Sequence, residues 1–437
     1  MAIGRNCTKE GNKQEICVEG LTKGRWKGIM LSDEIRASAP VSVYKIYFRG
    51  VTMQREEAKT CFESAFGCSA EDLFTAAGRI NVIGEHVDYC GGKVFPAALN
   101  LRCNIYGKKT GDSVIRLAFR GIEGVVELRL DNLNGYRDLK IGNYQAGVAY
   151  FMQQKGVQLV GCDLYYDCTV PFGSGLSSSA AIEVATAVAL YEYAGVAYDK
   201  VEVALLAQKA ENEYAGVNCG IMDQFASAMG KKDHAVLLDC STLAYEYVPL
   251  QLGEYCLVVA NCNKPHNLVE SKYNVRRQEV ETALKAIQTV KPVKNLAELT
   301  PEDFAEVKYL LAGVVEKRAE HVVMECARVK KAVAALKAGD LVELGALLNE
   351  SHYSLAQLYE VTGKELDTLS DLARKERDCL GSRMIGAGFG GCTISIVKKS
   401  AVEGFIRRVG AAYAETIGYK ASFYETSIED GITVSKL

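Results

Sequence analysis

In 383-RMIGAGFGGCTISIV-397, Gly386, Gly388 and Gly391 match the letters of a dinucleotide-binding fingerprint, GxGxxG. That fingerprint opens a helix, because the pyrophosphate it binds sits on a helix N-terminus. Here the glycines run into Cys-Thr-Ile-Ser-Ile-Val, a β-branched stretch that reads as a strand. Context therefore excludes the dinucleotide fold. A glycine hairpin between two strands fits instead, its bare backbone able to approach a ligand or a neighbouring element.

The chain around this hairpin reads as α+β. A helix is expected over 53-MQREEAKTCFESAFG-67, with Cys61, Phe62, Ala65 and Phe66 as its apolar stripe and Gly67 as its stop. Paired strands are expected at 114–120 and 125–130, around Gly121 and Gly124. Helices over roughly 178–194, 200–215 and 219–229 precede a strand at 235–240. A strand at 256–261 opens a second region, with long helices near 268–289 and 302–337. A strand at 393–399, a helix at about 401–415 and a final strand near 420–426 close the chain. Strands and helices mix without strict βαβ alternation. Residues 1–52 differ, showing no sustained apolar period beyond the strand-like 41-VSVYKIYF-48. A compact domain is expected to begin at Met53, which makes the earlier segment an appendage or a start-site artefact.

Composition excludes several classes. The 437 residues carry a formal net charge of -3 and a pI near 6.1, so no nucleic-acid partner is expected. The most apolar helical run, 180-AAIEVATAVALYEYAGVA-197, contains Glu183 and Glu192 and does not read as a membrane span. The first residues lack the apolar core of a secretory signal. Fifteen cysteines are scattered without a CxxC pair, which suits free thiols in a reducing cytoplasm and no cysteine-built metal site.

Three further stretches carry chemistry. In 78-GRINVIGEHVDYCGG-92, Glu85, His86 and Asp88 crowd together behind Arg79. Read as a strand, neighbours point to opposite sides, so at most two of the three could share a metal ion. Planar groups with several hydrogen-bonding atoms also suit a small polyhydroxylated ring. In 171-PFGSGLSSSAAIEVATAVAL-190, Gly173 and Gly175 precede a run of serines that opens an apolar helix. Such a helix start suits a phosphate. It lacks the Gly-Lys-Ser/Thr ending of a Walker A loop, and a serine-capped helix after a glycine turn is the alternative to the phosphate reading. In 201-VEVALLAQKAENEYAG-216, Glu211 shares a small-residue face with Ala204 and Ala207, where a carboxylate costs free energy unless paired or metal-bound. Asp223 follows among Ile221, Met222 and Phe225. Solvated helix-end acids are the alternative for both.

Taken in order, these stretches resemble the GHMP family of small-molecule kinases, and within it the galactokinases. The resemblance runs from Met53 to the C-terminus and includes 219-CGIMDQF-225, 261-NCNKPHNLVESKYNVRR-277, 318-RAEHVVMECARV-329 and 349-NESHYSLAQLYEVTGKELD-367. It implies a two-lobed α+β kinase, with an N-terminal lobe over 53–255, a C-terminal lobe over 256–437 and the active site in the cleft. The implied reaction is phosphoryl transfer from ATP to the anomeric hydroxyl of galactose. By resemblance, Glu85, His86, Val87, Asp88 and Tyr273 contact the sugar. Gly173, Ser174, Gly175, Leu176, Ser177, Ser178 and Ser179 surround the ATP phosphates. Ser179 and Glu211 hold Mg²⁺, Asp223 is the base, and Arg79 offsets developing negative charge. A cytoplasmic monomer acting on sugar and ATP is implied. The chemistry is consistent, since phosphoryl transfer asks mainly for positioning and charge neutralisation, and Mg²⁺ needs only one or two protein oxygens.

The signature departs from the common bacterial form APGR…EHTDYN at Ala77, Val87 and Cys90. Its aliphatic-Asp-Tyr-Cys form is similar to that of N-acetylgalactosamine kinases, which leaves N-acetylgalactosamine or a related sugar as an alternative substrate. A non-catalytic sugar and ATP sensor is a further alternative. The intact Ser-Ser-Ser-Ala-Ala run, Arg79 and Asp223 argue against it.

Overall fold

The computed structural model describes residues 53–264 and 269–437. The strand expected at 41–48, and the whole of 1–52, lie outside the described residues. Helix α1 (Arg55–Phe66) ends on Gly67, whose φ of 73° makes the left-handed cap that glycine tolerates best. Its Ala58 and Phe62 pack with Tyr106, Ala118 and Tyr165 in a small core of their own.

The first sheet is built from β1 (Asp72–Asn81), β3 (Pro96–Lys109), β4 (Val114–Phe119), β5 (Ile122–Arg129) and β6 (Cys162–Cys168). β2 (Lys93–Val94) lies between β1 and β3 in the chain and belongs to another sheet. The order is β13-β1-β3-β6-β4-β5, where β13 (Thr433–Lys436) returns from the C-terminus to pair antiparallel with β1. Only the β4–β6 pair is parallel among the described residues. The expected pair at 114–120 and 125–130 is β4 and β5, turning at Gly121 with φ 71°. The strand near 420–426 is present as β12 (Ser422–Thr426), but it is not the last, because β13 follows it.

Helix α2 (Asn143–Gln154) and α3 (Ser178–Ala194) pack on each other, and α3 lies against β1 and β3. α3 is buried over nearly its whole length, which fits a helix apolar all round. α4 (Lys200–Ala210) is extended by one wider turn, Glu211–Ala215, and α5 (Met222–Met229) follows. A second, small sheet joins β2, β7 (His234–Asp239) and β8 (Tyr245–Pro249).

The third sheet has the order β10-β11-β9-β12, from β9 (Tyr255–Asn261), β10 (Cys379–Ile385), β11 (Cys392–Lys398) and β12. The helices around it are α6 (Val269–Ile287), α7 (Pro301–Val307), α8 (Gly313–Lys337), α9 (Leu341–Ser354), α10 (Lys364–Arg374) and α11 (Val402–Ile417). The single helix expected at 302–337 is two, separated by residues 308–312, and Gly313, at φ 59°, begins the second. β10 and β11 are antiparallel, with Ile385 opposite Cys392, so the glycines form the expected hairpin. Mixed sheets with helices match the α+β expectation. No helix among the described residues is long and apolar enough to cross a membrane.

Candidate active site

β1 carries Arg79 past an irregularity in its pairing between Ala77 and Arg79. Gly78 sits in that irregularity, and a Cβ there would lie 2.9 Å from the Leu176 carbonyl oxygen. The serine loop can therefore come down onto the strand, where the Arg79 N–H donates to the Leu176 carbonyl at 3.1 Å. The guanidinium grips Asp223 on α5 with both arms, Nε to Oδ1 and Nη2 to Oδ2, each at 2.8 Å. Its remaining nitrogen donates to the Gly175 carbonyl. The Ser177 hydroxyl donates to Asp223 Oδ2. Asp223 is thus fixed from two sides.

Ser177 stands at the N-cap position of α3 in a left-handed conformation, φ 62° and ψ 52°, and its side chain makes no cap bond. The serine-capped helix is therefore corrected: the hydroxyl is spent on Asp223. Ser178 and Ser179 open α3 half-buried, Gly173 is exposed, and Leu176 is in the core. Ser174 is turned inward, donating to the Pro171 carbonyl at 2.6 Å. The loop lies backbone to backbone on the glycine hairpin. A Cβ on Gly386 would come 2.8 Å from the Gly175 carbonyl oxygen, and one on Gly391 would come 2.7 Å from that of Ser174.

The segment after β1 is not a strand, which corrects the strand reading of residues 84–88. Gly84 at φ 99°, His86 at φ 60° and Gly91 at φ 70° break the extended run. A single tight turn, Asp88–Cys90, replaces it. Asp88 can face the cavity because Gly220 opposite has no side chain: a Cβ there would lie 1.9 Å from Asp88 Oδ2. Burial, and then the nearby Asp223 charge, push the Asp88 carboxyl up to about 7.

Glu85 Oε1 accepts the Gly386 N–H at 2.9 Å, and Oε2 takes Arg383 Nη2 at 2.6 Å. Burial raises the Glu85 carboxyl above its usual range, and the Arg383 charge pulls it back in part. Burial lowers the His86 imidazole to about 3, so the ring is neutral. Its Nε2 faces the Ala387 carbonyl at 3.2 Å and must carry the hydrogen, since a carbonyl only accepts. Nδ1 then accepts from the Tyr89 hydroxyl at 2.8 Å, which in turn accepts from Tyr359 at 2.8 Å. A metal site on Glu85, His86 and Asp88 does not fit these partners. No cluster of three or more metal-ligating His, Cys, Asp or Glu side chains occurs among the described residues.

A cavity of about 150 Å³ brings together Arg79, Glu85, His86, Asp88, Glu211, Asp223 and Tyr273, with Gly386 and Ala387 of the hairpin at its edge. Val87 is not among its walls. It is fully buried, and its Cβ lies 2.7 Å from where a Gly92 side chain would begin.

Glu211 begins the wider turn after α4, a distortion often found where a side chain must be re-aimed. Gln224 Nε2 donates to Glu211 Oε2 at 2.5 Å and to Glu183 Oε2 at 3.3 Å. Burial, and then the Asp223 charge, push Glu211 up to about 7. The buried Glu183 Oε1 has no hydrogen-bond partner. Glu211 and Glu183 thus share one amide, and Asp223, held by Arg79, lies near enough for its charge to act on Glu211. Glu211 could serve a hard divalent cation, which needs few protein oxygens when phosphates and waters supply the rest.

The galactokinase galactose-binding signature matches residues 60–109. The GHMP kinases N terminal domain matches 143–231, and the GHMP kinases C terminal domain 332–415. Galactokinase from Lactobacillus helveticus is 46% identical over 386 residues, 87% of this chain and 99% of that one. The chain belongs to the galactokinase family. Clostridium tetani galactokinase is also 46% identical, over 381 residues covering 87% of this chain and 97% of that one. The crystal structure of Lactococcus lactis galactokinase complexed with galactose aligns with a TM-score of 0.84 at 41% identity, over 86% of this chain and 99% of that one. A mevalonate kinase at 17% identity and TM-score 0.60 shares the fold alone.

Sequence reasoning within this family pattern passed over Arg383, Gln224, Tyr89 and Tyr359. Arg383 opens the quoted glycine stretch, yet nothing local marks it as buried. The HVDYC and QLYEV runs did hold both tyrosines.

Proposed function

We propose that this chain transfers the γ-phosphoryl group of ATP to the anomeric hydroxyl of galactose, giving galactose 1-phosphate and ADP. One observation carries the reading: Asp223, clamped by Arg79 and Ser177, faces a small cavity walled by Glu85, His86, Asp88 and Tyr273. Asp223 accepts the hydroxyl proton as the phosphoryl group arrives. Arg79 offsets charge that develops on the transferring group. Gly173 to Ser179 and the first turn of α3 cradle the phosphates, since Ser177 leaves that helix start uncapped. Ser179 and Glu211 would hold Mg²⁺, which when bound neutralises phosphate charge. Glu85, His86, Asp88 and Tyr273 read the sugar hydroxyls. Val87 belongs to the same run but supports it from the core.

The three departures from the common bacterial signature leave the cavity walls unchanged, so the galactokinase relatives keep galactose ahead of N-acetylgalactosamine. Ala77, Val87 and Cys90 are all buried, and none lines the cavity. Every cysteine among the described residues is a free thiol, consistent with a cytoplasmic enzyme. The proposed lobe boundary stays near 255, although β13 pairs back with β1 of the first sheet. ADP release tests the function against galactose, N-acetylgalactosamine, galacturonate, glucose and arabinose. Galactose should give the highest kcat/KM; a faster N-acetylgalactosamine reaction would overturn the assignment.

A further inference from the structure

We propose that Glu325 and His321, one turn apart on α8, are positioning residues that set the Glu85 backbone for sugar recognition. The inference rests on the reading of Glu85 as a sugar contact. Neither residue lines the cavity, and both are fully buried.

The geometry is specific to one peptide segment. Glu325 Oε1 accepts the N–H of Gly84 at 3.0 Å and that of Glu85 at 3.3 Å, together with the Ser351 hydroxyl at 2.7 Å. Its other oxygen takes Arg328 Nε at 2.8 Å. His321 Nε2 lies 3.1 Å from the Glu85 carbonyl oxygen, and its Nδ1 lies 2.8 Å from Ser354 Oγ. Since a carbonyl only accepts, Nε2 carries the hydrogen and Ser354 donates to Nδ1. Burial lowers the His321 imidazole to about 4, consistent with this neutral form. Both backbone groups of Glu85 are therefore held by α8, while Arg383 and Gly386 hold its carboxylate.

The next residue explains the need. His86 follows at φ 60°, a conformation that costs a non-glycine residue free energy and persists only where its surroundings fix it. Gly84, on the other side, is seated so closely that a Cβ would lie 2.9 Å from Val329 of the same helix. A buried acid serving only core stability would be satisfied by Arg328 and Ser351. Glu325 instead also takes two backbone donors of the loop that faces the cavity.

The test uses the full chain and calorimetric titration of galactose and of ATP, each alone. Glu325→Gln places an amide N–H₂ against either the loop donors or Arg328. Its galactose Kd should rise about tenfold or more, with the ATP Kd within about twofold of wild type. His321→Leu should weaken galactose similarly, whereas His321→Gln, which keeps a donor, should restore most of the affinity. Should Glu325→Gln not fold, the His321 pair decides alone. Folded variants that bind galactose like wild type would overturn the proposal, as would parallel loss of galactose and ATP affinity. Glu85→Gln separates the two layers. If it loses galactose while the α8 variants keep it, only the positioning role fails. If it binds normally, the sugar-contact reading falls and takes the proposal with it.

Discussion

Glu85 and Arg383 stand 298 positions apart in the chain and meet in a 2.6 Å ion pair closed to solvent. Arg383 also donates to the carbonyls of Asn81 and Val82, at 2.8 and 3.1 Å. The pair joins the segment after β1 to the strand that leads into the glycine hairpin. Arg383→Met keeps much of the volume but strands a buried carboxylate and two carbonyls. A loss of about 3–5 kcal/mol in urea unfolding is expected. A loss below about 1 kcal/mol would show that the pair carries no weight in the fold.

Asp223→Asn retains the shape of the base and removes its ability to take a proton. kcat should fall by about 10²–10⁴. ATP binding, followed by calorimetry, should persist. Turnover near the wild-type rate would remove Asp223 from the base role.

Asp88 makes stability depend on pH. Its folded pKa of about 7 lies above the ordinary 3.8, so the folded protein holds this proton more tightly than the unfolded chain. The contribution is full below about pH 4 and is lost as pH rises through 7. Asp88→Asn stays neutral throughout, so the variant should gain on wild type across that window. Because Asp88 keeps partial exposure, the expected gain is about 1–2 kcal/mol rather than the full conversion of the shift. Denaturant melts of the sugar-free protein at pH 5 and pH 8 measure it. An unchanged difference between the two proteins would contradict the assignment.

Gly391→Ala tests the stacking of hairpin on serine loop. The position has φ 87°, and a Cβ there would sit 2.7 Å from the Ser174 carbonyl oxygen. Strain and displacement together should cost about 1–3 kcal/mol and raise the KM for ATP more than that for galactose. Equal effects on both constants would place the damage elsewhere.

What could be read from the sequence was local. Gly386, Gly388 and Gly391 ahead of a β-branched run gave the hairpin, and the apolar run from Ala180 gave α3 nearly to its ends. The central strands β1, β3 and β6 were passed over. β6, for one, is buried on both faces, so its sequence shows no alternation. The acid cluster pointed to a ligand, but its backbone was misjudged as extended, because His86 adopts a left-handed conformation that only tertiary bonds sustain. Arg383 and Glu325 were illegible as loop supports for a related reason. Their partners lie 298 and 241 residues away, beyond any local pattern.

The central claim is phosphoryl transfer to the anomeric oxygen of galactose. Phosphorus NMR of the protein with galactose, ATP and Mg²⁺ follows it directly. One new phosphomonoester signal should appear, coupled to the anomeric proton of galactose and growing in step with ADP. ADP accumulating with free phosphate alone, or a phosphoryl group on another hydroxyl, would contradict it.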